Sequence, residues 1–153
     1  MKTVNIHASC VAIGKHGVLI LGDSGAGKSD LALRLIDDGA RLVSDDRTEL
    51  YVSRGMLHAR APKSIAGLLE ARGLGIVTLP FVKNVKLGLA VKLGAPWKRL
   101  PDAVCYEPPA PLKAAKPLPF IILDGALPGA PARIRLALRA FSRGLFREDF
   151  NPT

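Results

Sequence analysis

Apolar residues cluster first in VNIHASCVAIG, residues 4–14, and HGVLILG, residues 16–22, which predicts two strands joined by a tight turn at Gly14 and Lys15. The period then changes. Leu31, Ala32, Leu35 and Ile36 form a helical stripe over residues 28–38, and Gly39 stops it. ARLVSDD, residues 40–46, has the look of a short buried strand, and residues 48–61 of a hairpin around Gly55. KSIAGLLEARG, residues 63–73, predicts a short helix with Gly73 after its end. Strands follow in GIVTLPFV and in VKLGLAVKL, the second with partial alternation. Seven prolines between residues 95 and 119 predict a surface loop, PFIILDG a last strand, and residues 130–146 a last helix. No internal repeat appears, and the expected class is α/β with many strands for few helices.

The strand ending at residue 22 runs into GDSGAGKSD. That stretch fits the phosphate-cradle (Walker A, P-loop) pattern G-x-x-x-x-G-K-[ST], with Gly22, Gly27, Lys28 and Ser29 in the fixed places. Glycines let backbone amides converge on phosphate oxygens, and the helix that starts there adds its positive end. Residues Gly22, Asp23, Ser24, Gly25, Ala26, Gly27, Lys28 and Ser29 are therefore the expected nucleotide-binding set. Lys28 would reach the β- and γ-phosphates, and the Ser29 hydroxyl would hold Mg²⁺. The loop does not say whether the phosphoryl group goes to water, a small molecule or a protein.

Composition narrows the partners. At 153 residues the chain suits one domain with a proper core. No apolar run approaches the roughly 20 residues that span a bilayer, and MKTVNIHASC makes a poor secretory signal. Cys10 and Cys105 lack metal-type spacing and are expected to be small buried residues in a reducing compartment, so the cytoplasm is the default. The net charge of +9 favours anionic partners. Arg133, Arg135, Arg139, Arg143 and Arg147 crowd the last helix, opposite the stripe Ile134, Leu138, Phe141 and Leu145. They fit a solvated face or a docking surface. With aromatics at only 5%, basic-aromatic interleaving of the kind that binds nucleic acid is missing.

LVSDD places Asp45 and Asp46 about 17 residues after Lys28, at the end of the next strand. Carboxylates there can hold the metal or take the proton of the nucleophile. On a strand the two point to opposite faces, so only one need enter the site.

These features together resemble the catalytic domain of HPr kinase/phosphorylase, which acts on a serine of the phosphocarrier protein HPr. The family's GDSG-x-GKS loop matches GDSGAGKS at every fixed position. Its G-H-R-L-V-A-D-D segment is similar to GARLVSDD, and its E-I-R-G-L-G-I-I signature to EARGLGIV at residues 70–77. The family's catalytic His lies 21 residues before the loop lysine, where His7 stands here. These blocks cover about the first 80 residues, and beyond Phe81 the similarity fades. The resemblance implies a P-loop fold of the HPr kinase and phosphoenolpyruvate carboxykinase type. It also implies ATP and Mg²⁺ as cofactors and an HPr-type carrier as partner.

By the same resemblance His7 is an active-site histidine, and one of Asp45 and Asp46 is the base that deprotonates the acceptor serine. Glu70 assists Mg²⁺, Arg72 lies in the catalytic block and contacts phosphate, and Arg99 in WKRLPD is matched to the arginine of a later R-L loop of the family. His16 and His58 match nothing and are expected at exposed strand positions. The family's separate N-terminal domain is expected to be absent. Its basic loop for phosphorolysis is not recognisable in PLKAAKPLPFIILDG, so dephosphorylation is expected to be reduced or lost. Family members form hexamers; the expectation here is a homo-oligomer of some order. The alternatives weighed are a kinase or phosphatase for a small metabolite and a nucleotide sensor without turnover.

Overall fold

The structure is a computed structural model and describes residues 1–94 and 97–147. In chain order its elements are β1 (Thr3–Ile6), β2 (Ser9–Ile13), β3 (His16–Leu21), α1 (Lys28–Asp37), β4 (Arg41–Ser44), β5 (Thr48–Ser53) and β6 (Met56–Arg60). A 3-10 turn, Lys63–Ile65, precedes β7 (Leu68–Ala71) and β8 (Gly75–Thr78). Then come β9 (Val85–Leu93), β10 (Val104–Tyr106), β11 (Leu118–Leu123) and α2 (Ala130–Arg143). Nine strands form one mixed sheet, in the order β1-β5-β6-β9-β3-β2-β4, with β11 parallel to β9 and β10 paired to β11. The expected class, α/β and rich in strands, is what the chain adopts.

Period-two alternation sorts the sheet residues onto two cores. Val18, Ile20, Leu89 and Val91 face the helices, where Leu31 and Leu35 of α1 and Ile134 and Leu138 of α2 cover them. Leu19, Leu50, Leu57, Leu87 and Ala90 fill the opposite core. A bulge explains why β9 alternates only in part: Gly17 pairs with Leu87 but Val18 with Leu89, so Gly88 is the extra residue that resets the faces. The expected hairpin around Gly55 forms between β5 and β6, through a two-residue turn with Arg54 at φ 54° and Gly55 at φ 76°. Ile134 is fully buried, and Ile134→Ala is expected to destabilise the fold by about 2–5 kcal/mol in urea titration.

Several expectations change. Residues 63–73 are not a helix: Gly67, at φ 80°, ends the 3-10 turn, and β7 pairs with β8 across a turn holding Gly73. Gly73 thus serves a hairpin rather than a helix end. The first strand breaks at His7 and Ala8 into β1, which pairs with β5, and β2, which pairs with β3. The proline-rich segment contains β10, and Cys105 on it is exposed, whereas Cys10 is buried as expected. His16 and His58 are half-buried on their strands, His58 stacked on Tyr51.

The last helix closes with Gly144 at φ 64°, three residues short of the expected end. Ile134 and Leu138 of its stripe are buried, Phe141 is half-buried and Leu145 is exposed beyond it. Arg135 is not simply solvated: it pairs with the Asp38 carboxylate at 3.1 Å and donates to the Asp38 and Leu35 carbonyls, bracing the carboxyl end of α1. Among the described residues no helix is long and apolar enough to cross a membrane.

Candidate active site

Residues 22–27 link the end of β3 to the start of α1. Gly22 has φ 152°, and a Cβ there would sit 3.1 Å from the Ala26 methyl carbon and 3.3 Å from the Leu93 carbonyl oxygen, so only glycine lets the loop leave β3 this tightly. The Ala26 amide donates to the Asp23 carbonyl, closing the loop on itself. Gly27 caps α1 without any side-chain bond, leaving the first-turn amides for an anion in front of them. Lys28 is only 7% exposed, and its Nζ donates to the carbonyls of Gly22 (2.8 Å) and Asp23 (3.0 Å). The ammonium is therefore held over the loop by neutral acceptors.

The two acids at the end of β4 have separate places. The strand stops at Ser44, and Asp46 takes a left-handed φ of 70°, so the turn, not strand alternation, parts them. Asp45 is 5% exposed and fully engaged. Its Oδ1 accepts from the hydroxyls of Ser29 (2.7 Å) and Ser9 (2.8 Å), and its Oδ2 from the Glu70 amide (3.1 Å). The Asp46 side chain is 65% exposed, with Oδ1 3.5 Å from His7 Nε2. His7 reaches it because the chain leaves sheet geometry between β1 and β2. The Ala8 amide donates to the Asp46 carbonyl at 3.1 Å, tying that break to the acid turn.

A cleft of about 470 Å³ gathers these groups. Ser24, Gly25, Gly27, Lys28 and Ser29 form one wall, His7 and Asp46 another, and Glu70 and Arg72 of the β7–β8 hairpin a third. Asp45 lies beneath, under Ser29. Of the expected loop residues, Gly22, Asp23 and Ala26 shape the loop from behind rather than line the cleft. Arg99 is exposed on the segment after β9 and is not among the residues lining the cleft.

Ser9 was not singled out by the sequence. It is fully buried, donates to Asp45 and accepts the Asp46 amide at 3.3 Å, so one hydroxyl fixes both acids. Its only signal was a polar residue inside an apolar strand. Ser9→Ala leaves an Asp46 amide and an Asp45 oxygen short of partners, and is expected to cost about 1–3 kcal/mol in denaturant titration. Turnover should fall too, because the left-handed turn loses its anchor.

The sequence model of the family described as HPr Serine kinase C-terminal domain matches residues 1–85. That range contains His7, the loop, both acids, Glu70 and Arg72, and excludes Arg99. The solved structure of the HPr(Ser) kinase/phosphatase from Coxiella burnetii is similar to this chain with a TM-score of 0.71 and 27% identity. The alignment covers 93% of this chain and 98% of that one.

Proposed function

The chain belongs to the HPr serine kinase family, and we propose that it is an ATP- and Mg²⁺-dependent protein-serine kinase whose acceptor is HPr or a paralogous phosphocarrier. The carrying observation is the arrangement of an exposed carboxylate, Asp46, beside His7 in the same cleft as Lys28 and the uncapped α1 amides. Phosphoryl transfer needs charge neutralisation, in-line positioning and loss of a proton from the nucleophile. Lys28 and the loop amides serve the first two. Asp46 accepts the proton of the acceptor hydroxyl, and His7 orients that carboxylate and stabilises its charge. In the reverse direction Asp46 returns the proton to the serine; this direction is proposed to be weak.

The oxygen donors fit Mg²⁺. Ser29 and Asp45 stand 2.7 Å apart, and Glu70 opens onto the same cleft. Among the described residues no three or more His, Cys, Asp or Glu side chains cluster as a metal site. An ion here would take Ser29, Asp45 and Glu70 oxygens at most and complete its shell with phosphate and water, as Mg²⁺ ordinarily does. When bound it would neutralise charge on the transferring phosphates. Arg72, exposed at the lip of the cleft, is placed to meet a phosphate or an acidic acceptor.

The test is incubation with ATP, Mg²⁺ and purified HPr-type carriers from the same organism, read by intact mass and phosphosite mapping. One added phosphoryl group on one serine supports the proposal. Bound ATP with no carrier modified moves the acceptor to a small molecule.

A further inference from the structure

A second hollow, of about 330 Å³, lies at the other end of β3 from the glycine-rich loop and shares no lining residue with the catalytic cleft. Its floor is apolar: Met56 of β6, Leu118 of β11, and Leu138 and Phe141 of α2. Its polar rim carries two lysines, a histidine and a serine, Ser142. His16 opens β3, Lys86 stands opposite it in register on β9, and Lys116 leads into β11. Among the described residues no acidic side chain lines it and neither lysine makes a salt bridge. Lys15, the second residue of the β2–β3 turn, immediately precedes His16. The imidazole feels the result: burial first, then Lys86, Lys116 and Lys15, hold His16 below its ordinary value. Glu107 is nearby only in an adjoining hollow that shares Leu57, Lys116, Pro117 and Leu118.

We propose that this hollow binds a small amphipathic anion, a carboxylate or phosphate monoester carried on an apolar body. Like charges gathered with no counter-ion among the described residues repel one another, and an anion between them removes that repulsion. The volume lies within the span of small-molecule sites, and an apolar floor with a few convergent polar groups is their usual make-up. An inorganic anion would leave the floor unused, and a neutral hydrocarbon would leave the lysines unpaired. This assignment is independent of the kinase reading, because the two sites have no residue in common.

The experiment uses anilinonaphthalene sulfonate as a fluorescent probe on the full chain. Octanoate and octyl phosphate are expected to displace it, whereas inorganic phosphate, saturating ATP and octanol are not. Replacing both lysines, Lys86→Gln with Lys116→Gln, is expected to weaken octanoate binding about tenfold or more. Ser142→Trp, at the exposed mouth of the hollow with the lysines intact, should also block it. Unchanged melting temperatures show that both variants fold. Octanol competing as well as octanoate, displacement by ATP, or full binding in both variants would overturn the assignment. Anionic phosphatidylglycerol vesicles displacing the probe as well as octanoate would assign the hollow to a bilayer lipid and overturn the small-molecule reading.

Discussion

Asp46→Asn is expected to slow phosphoryl transfer by about 10²–10⁴-fold while ATP affinity stays close to that of the unchanged protein, because it removes the proposed proton acceptor alone. The substitution is unusually clean. Asp46 sits at φ 70°, a conformation that Asn tolerates as well as Asp, so the turn should persist. Its side chain is mostly exposed, and its backbone is held by Ser9 and Ala8 through atoms the change does not touch. Melting should therefore move little. Asp45→Asn is the contrast: three donors converge on that buried carboxylate, and an amide brings its own NH₂ into the set. Stability should fall there along with activity. Rapid-quench transfer rates, equilibrium ATP binding and urea titration of the two variants separate these patterns.

Lys28→Ala is expected to lower kcat by about 10²–10³-fold, the usual cost of removing one charged contact to the developing negative charge. Unlike Asp46→Asn, it should also weaken ATP binding, since the ammonium meets phosphate in the ground state as well. Part of the loss would come from the loop itself. Lys28 Nζ ties the Gly22 and Asp23 carbonyls; without it the Gly22 carbonyl loses this donor and the Asp23 carbonyl is left with the Ala26 amide. Lys28→Arg should rescue poorly: a planar guanidinium cannot place a compact charge above two carbonyls in the space a buried lysine occupies. Isothermal titration with ATP and steady-state kinetics check both effects.

The loop and its helix were legible in the sequence because their order is local: a strand, a fixed glycine spacing and a 3.6-residue stripe lie within about twenty residues. The hairpin at Arg54 and Gly55 was legible for the same reason. Residues 63–73 were misread because Leu68–Ala71 is too short a run for its period to tell strand from helix. The deciding contact is the pairing with β8, which begins beyond Gly73. The division of labour between Asp45 and Asp46 could not be read locally. It depends on Ser9, 36 residues before Asp45, and on a left-handed turn at Asp46 that propensity alone would give equally to Asp45. His7 was named through the family resemblance; what puts it beside Asp46 is the break between β1 and β2, where a continuous strand was expected. Arg99, aligned on two residues of a divergent segment, is not brought to the cleft.

In the proposed reaction Asp46 accepts the proton of a protein serine while the glycine-rich loop and Lys28 hold the phosphates. Single-turnover transfer from labelled ATP to an HPr-type carrier tests it most directly, with the unchanged protein and Asp46→Asn side by side and ATP binding measured on the same samples. The expected result is label on one carrier serine at a rate that collapses in the variant, with ATP bound equally by both. Equal transfer rates in the two proteins, or label that never reaches the carrier from tightly bound ATP, would contradict it.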